Sequence, residues 1–271
     1  MTGTGRRVNP LRIEQMTVFD VDPAEVVTIA ADLGVPYVSF FTVAAMPGAR
    51  PVTKERRQAI MERLSDTGVR VDTIEAFPLR TDQRNNEAGI ALGAELGARS
   101  IVAVNFSEAD ENRAVEQFAT LCGIARGYGM NVALEPISMG VTRTVAQAER
   151  IVLGSGADNG RIVVDLLHIM RTGSSLEDVS ALNPGLIGSA QICDGPADVE
   201  PRDLSEEASY ERMVPGEGTF PLVEFLRVIP AEVVLGIEVP LRARRKAGMS
   251  ALDRSRLVVD ATRTVQALAA L

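Results

Sequence analysis

Four polar residues stand at the ends of four short apolar runs: Glu135 in "VALEP", Asp165 in "IVVDLLH", Gln191 in "SAQICD" and Glu238 in "LGIEVP". In a strand, residues two apart share a face. Two positions back from each lie Ala133, Val163, Ser189 and Gly236, smaller than or comparable to the flanking Val132, Leu134, Ile162, Val164, Leu235 and Ile237. The first set suits a crowded barrel axis, the second a layer beneath helices. That parity turns all four polar groups inward together. Three carboxylates converging without a counter-ion are costly in desolvation and repulsion. A divalent cation removes that cost. An all-oxygen set of two glutamates, one aspartate and one amide favours Mn²⁺ or Mg²⁺, with Co²⁺ and Zn²⁺ as lesser candidates. The plainer reading makes one or more of the four a surface-loop carboxylate.

His168 lies three residues past Asp165 and is the single histidine in 271 residues. An unperturbed imidazole titrates close to neutrality, which suits proton transfer at working pH. Beside an aspartate at a barrel mouth, general acid/base work is the favoured role. A satisfied core or surface histidine is the alternative.

Positioning these groups takes eight strand–helix pairs. Strands are expected at 11–18, 37–42, 69–77, 100–106, 131–136, 161–167, 187–194 and 233–240, each followed by an amphipathic helical pattern. A signal such as Pro23 opening and Gly34 closing the first helix marks the boundaries. Eight such pairs in one chain of this length predict an α/β fold, a single (β/α)8 TIM barrel covering 1–271. Residues 1–10 form a tail, and 195–218 form a long loop after strand seven, expected to act as a lid. An open doubly wound sheet would carry a glycine fingerprint after strand one, and "TVFDVDPAE" has no glycine there.

Composition narrows the class. A net charge of −8 argues against a nucleic-acid partner. Two cysteines, Cys122 and Cys193, read as reduced thiols, and the N-terminus carries no apolar signal segment. The expectation is a cytoplasmic protein with no membrane partner. With no Trp, a ring-shaped ligand would meet only Phe40, Phe41, Phe77 and Phe106. No phosphate cradle is evident, which favours an unphosphorylated substrate. The run "RARRK" at 242–246 is expected to be solvated or to touch another subunit.

The ordered set "ALEP", "DLLH", "QICD", "RMVPGEG" and "IEVP" resembles the sugar phosphate isomerase/epimerase superfamily of xylose-isomerase-like barrels over about residues 11–270. Its members include ketose 3-epimerases, inosose-processing enzymes, 3-dehydroshikimate dehydratases and an endonuclease branch. The resemblance implies Glu135, Asp165, Gln191 and Glu238 as ligands of one divalent metal ion. It implies Glu135, Glu238 and His168 as catalytic groups, and Arg212, Asp194 and Glu217 as substrate-binding ones. The implied reaction is isomerisation or epimerisation of a sugar or cyclic polyol hydroxyketone, by proton abstraction next to a metal-bound carbonyl through an enediolate. Many epimerases have histidine where this chain has Gln191, and glutamine there is similar to some dehydratases. A lyase acting on 3-dehydroshikimate is therefore the alternative, and a non-catalytic, metal-free barrel subunit is the third. A homo-oligomer stays open. The endonuclease branch needs several histidines, which this chain lacks.

Overall fold

In the computed structural model, which describes residues 8–43, 48–198 and 203–271, the eight parallel strands pair in sequence order and close on themselves. The chain runs β1 (Leu11–Ile13), α1 (Pro23–Asp32), β2 (Tyr37–Phe41), α2 (Lys54–Thr67), β3 (Arg70–Pro78), α3 (Arg84–Glu95), β4 (Ser100–Val104) and α4 (Glu111–Gly127). It continues with β5 (Asn131–Glu135), α5 (Val145–Gly154), β6 (Gly160–Asp165), α6 (Leu166–Thr172), α7 (Leu176–Ala181) and β7 (Ile187–Ile192). The remainder is α8 (Leu204–Tyr210), α9 (Leu222–Val228), β8 (Leu235–Ile237), α10 (Arg242–Lys246) and α11 (Ala251–Ala269). Most of the expected 1–10 tail, and positions 199–202 of the expected 195–218 loop, lie outside the described residues.

Local chemistry explains the helices. In α4 the buried Ala114, Phe118, Leu121, Cys122 and Ala125 fall on one helical face. Asp110 caps its first turn by accepting from the amides of Asn112 and Arg113. Helix α5 begins with a reciprocal Thr144–Gln147 capping box.

The inferred parity of the strands holds. Val132, Leu134, Ile162, Val164, Leu235 and Ile237 all join the main core between strands and helices. Ala133 and Val163 form a separate small cluster with Val102 inside the barrel. Ser189 accepts a 2.8 Å hydrogen bond from Arg12, which is also interior.

Several elements differ from the expectation: the eighth strand covers only Leu235–Ile237, short helices α8 and α10 form in 195–218 and over 242–246, and two further differences shape the site. The first strand ends at Ile13 and gives way to a short 3-10 turn over Gln15–Val18, although a strand over 11–18 was expected. The turn forms because its polar side chains have other work. Gln15 donates to the Arg50 carbonyl and accepts from the Phe41 amide, while Thr17 donates to the Ile237 carbonyl and accepts from the Val239 amide. The second difference is that β6 passes directly into α6, so His168 sits on a helix.

The barrel floor is ionic. Arg12 donates to Glu14 through Nε at 2.8 Å and through Nη2, and Nη1 pairs with Asp72. Burial alone would discourage the Arg12 charge. Glu14 and Asp72 outweigh it and hold the guanidinium far above its ordinary value. Gly236 leaves room for this cluster, since a Cβ there would lie 1.8 Å from Glu14 Oε1. Gly236→Ala is therefore expected to cost about 3 kcal/mol of stability by overpacking. An unchanged urea midpoint would refute this account of the floor.

Candidate active site

The strand-end side chains converge as the local backbone dictates. Asp165 is both the last residue of β6 and the N-cap of α6, its Oδ1 accepting from the His168 amide at 3.2 Å. That cap sets His168 one helical turn beyond the strand. Its Nδ1 accepts from the Ser138 amide at 3.2 Å, which leaves the proton on Nε2. Nε2 lies 3.8 Å from Glu135 Oε1. Glu135, Asp165 and His168 each place one ligand atom within 4.8 Å of the others.

Glu238 stands apart from that trio because Arg212 intervenes. The guanidinium donates to Asp165 Oδ2 at 2.7 Å and to Glu238 Oε1 at 3.2 Å. All three side chains are buried. Gln191 pairs in register with Asp165 on β6 and Gly236 on β8. Its amide is 1% exposed, and neither Oε1 nor Nε2 has a hydrogen-bond partner; Glu238 Oε2 is similarly bare. Each orphaned buried polar atom costs about 1–3 kcal/mol. Of the four expected ligands, Glu135 and Asp165 approach each other together with His168, and the bare oxygens of Gln191 and Glu238 are of the hard type that a divalent cation takes.

Electrostatics divides the groups. Burial, followed by the charges of Glu238 and Asp165, holds the Glu135 carboxyl well above its ordinary range. Burial likewise lifts Glu238, to about 8, against the opposing pull of Arg212. For Asp165 burial also pulls upward, but Arg212 and then His168 outweigh it and keep the group below its ordinary value. Burial lowers His168 to about 4 despite Asp165. The imidazole is thus neutral at pH 7, and its 3.8 Å approach to Glu135 is not an ion pair. The near-neutral titration expected of it gives way to a neutral ring beside Glu135.

A cavity of about 130 Å³ opens on these groups, lined by Glu135, His168, Arg212 and Glu238 and roofed by Ala208 and Ser209 of α8. The roof is pinned from below. Arg171 on α6 pairs with Glu207 at 2.7 Å and donates to the Pro196 carbonyl, while Arg212 Nε donates to the Ala208 carbonyl.

Two of the substrate-binding candidates are placed elsewhere. Asp194 accepts from the backbone amides of Gly195, Gly216, Gly218 and Phe220 at 2.8–3.0 Å. It folds the "PGEG" turn back toward the barrel, and both of its oxygens are taken up by backbone amides. Glu217 pairs with Arg244 of α10 at 2.6 Å and does not line the cavity. Of the 242–246 run, Arg242 pairs with Glu206 and Glu211 of the roof segment. Cys193 is buried against Arg212, and burial pushes its thiol far up, so it is no nucleophile.

Glu75, within β3, is a further buried carboxyl of the site that the sequence pattern does not single out. Burial, then Glu14 and Glu238, raise its carboxyl well above the ordinary range. It belongs to the same cavity.

A family model described as xylose isomerase-like TIM barrel matches residues 27–255. Among solved structures, the IolI protein with a bound zinc atom superposes with a TM-score of 0.80 at 19% identity, covering 96% of this chain and 98% of that one. D-psicose 3-epimerase, solved in the presence of D-fructose, gives 0.74 at 16% identity, with 97% and 100% covered. A xylose isomerase domain protein from Alicyclobacillus acidocaldarius subsp. acidocaldarius gives 0.70 at 23% identity, with 96% and 98% covered. At these identities the likeness carries the fold. No curated protein matches the sequence. Among the described residues, no helix is long and apolar enough to cross a membrane.

Proposed function

Because the chain belongs to the xylose isomerase-like TIM-barrel family, we propose that it is a divalent-metal-dependent isomerase or epimerase of a sugar or cyclic polyol hydroxyketone. The observation that carries this reading is the buried oxygen set. Glu135 and Asp165 converge, and Gln191 Oε1 and Glu238 Oε2 lack partners. A bound divalent cation supplies Lewis-acid polarisation of a carbonyl. Glu135 and Glu238 form the proton-transfer pair. One carboxylate takes the proton from the carbon beside the carbonyl, and the other returns a proton at that carbon or its neighbour. Carboxyl groups raised by burial are suited to this, and Glu238, at about 8, exchanges protons close to working pH. His168 stands beside them on the same cavity, its Nε2 3.8 Å from Glu135 Oε1.

Incubation of the Mn²⁺-treated protein with ketoses, inososes and 3-dehydroshikimate in deuterium oxide tests the proposal. One hydroxyketone is expected to exchange a C–H proton for deuterium, as read by NMR. Absence of exchange in every ketose and inosose would overturn it. Gln191 at the third ligand position favours a second reading, a 3-dehydroshikimate lyase. That reaction would instead generate an aromatic product with strong ultraviolet absorbance.

Metal affinity should carry a proton signature. A cation displaces the proton that Glu238, at about 8, holds at lower pH. Mn²⁺ affinity is expected to rise about tenfold per pH unit between about pH 6 and 8 for each proton displaced. Calorimetric titration showing a flat profile would contradict the assignment of Glu238 to the ion.

A further inference from the structure

The cavity has two unlike walls. Strand β5, helix α6, the segment just after β8 and the roof segment contribute the ionisable Glu135, His168, Glu238 and Arg212. The wall on the β1–β4 side is apolar, with Met16, Phe41, Ala76, Val104 and Phe106. Among the described lining residues of that wall, Glu75 alone has a polar side chain. It is 5% exposed, yet its Oε1 has no hydrogen-bond partner. The neighbouring Arg12 cannot satisfy it, because its donors go to Glu14, Asp72 and Ser189. Ser39 and Glu14 lie against the same carboxyl, and Oε1 is still without a partner among the protein atoms. A ligand hydroxyl in the cavity supplies the missing partner.

We propose that Glu75 is a specificity-determining residue, bonding a substrate hydroxyl remote from the carbonyl held near Glu135 and Glu238. This rests on the hydroxyketone reading given above. The reacting end of the molecule lies against β5–β8, and its far end reaches the apolar wall. There a hydroxyl facing Glu75 is matched, and a hydrogen in its place strands the carboxyl. Sites built to bond a hydroxyl discriminate strongly against analogues that lack it.

Two matched probe pairs test this on the Mn²⁺-treated protein: L-fructose with 6-deoxy-L-fructose, and 2-inosose with its 5-deoxy analogue. Binding is read by thermal-shift titration, and turnover separately by deuterium exchange. The hydroxylated member of one pair is expected to bind at least about tenfold tighter, an ordinary hydrogen bond's worth. Glu75→Leu should erase that preference, and Glu75→Gln, which still donates and accepts, should keep part of it. Leucine replaces a bare buried carboxyl, so the melting temperature is expected to hold or rise. If that variant does not fold, the wild-type preference and Glu75→Gln decide. No preference in the wild-type protein, a preference that survives Glu75→Leu, or no binding of either pair would overturn the assignment. Exchange without the preference removes this inference and leaves the proposed reaction standing. The preference without exchange does the reverse.

Discussion

Glu135→Gln is expected to lower turnover by about a thousandfold while leaving the fold intact. Proton transfer by a positioned side chain contributes about 10²–10⁴-fold, and glutamine removes the transferable proton at nearly constant shape. The usual confusion between a dead enzyme and an unfolded one does not arise at this position. Burial already holds the Glu135 carboxyl well above its ordinary range, so the folded protein gains little from its charge. A neutral amide of the same size should match or exceed the parent in urea stability. Deuterium exchange at the parental rate in this variant would sink the catalytic assignment. Lost exchange together with lost stability would show that the residue is structural.

Arg212→Met is expected to destabilise the protein by about 3–5 kcal/mol, the range for removing one partner from a buried charge cluster. The guanidinium faces Asp165 and Glu238, and both carboxyls are buried. Without it they repel each other with no cation between. The loss should depend on pH. Even with Arg212 present, Glu238 sits at about 8 against an ordinary 4.5, so its contribution is complete below the ordinary value and fades as pH rises through 8. Removing the arginine pushes Glu238 further up and lifts Asp165 as well. The variant should therefore lie closest to the parent at pH 5 and furthest from it at pH 8. Added Mn²⁺ should restore much of the difference at pH 8 by replacing the lost positive charge. Urea unfolding at the two pH values, with and without Mn²⁺, checks all three statements. Equal losses at both pH values would refute the role given to Arg212.

Much of this site was legible from alternation alone. Ala133, Val163, Ser189 and Gly236 point inward as their size suggests, and of the polar residues two positions later Glu135 and Glu238 line the cavity. The same rule was available for Arg12 and Glu14 in "LRIE", where bulky and charged residues alternate. The apolar character that continues to Val18 masks that pair. Asp72 and Glu75 were harder, because a spacing of three breaks the period of two. The break is a register shift: Val38 pairs with Val71 but Ser39 with Thr73, which leaves Asp72 out of step. The state of His168 depended on burial and on the Ser138 amide, 30 residues away. The partners of Arg212 lie 47 and 26 residues off, at Asp165 and Glu238. Separations of this kind come only from the closed barrel.

The two ends of the barrel are fastened differently. At the floor, Arg12 is sealed from solvent among Glu14 and Asp72. At the roof, one shielded pair, Arg171–Glu207, is joined by Arg242–Glu206, Arg242–Glu211 and Arg244–Glu217, which meet water. Dissolved electrolyte weakens exposed pairs within a Debye length of about 8 Å at physiological ionic strength and shorter above it, and hardly reaches enclosed ones. Ionic strength thus becomes a selective tool, relaxing the cover over the cavity while the rest of the molecule keeps its rigidity. Amide hydrogen exchange in α8 should quicken with sodium chloride, and exchange in β1 should not.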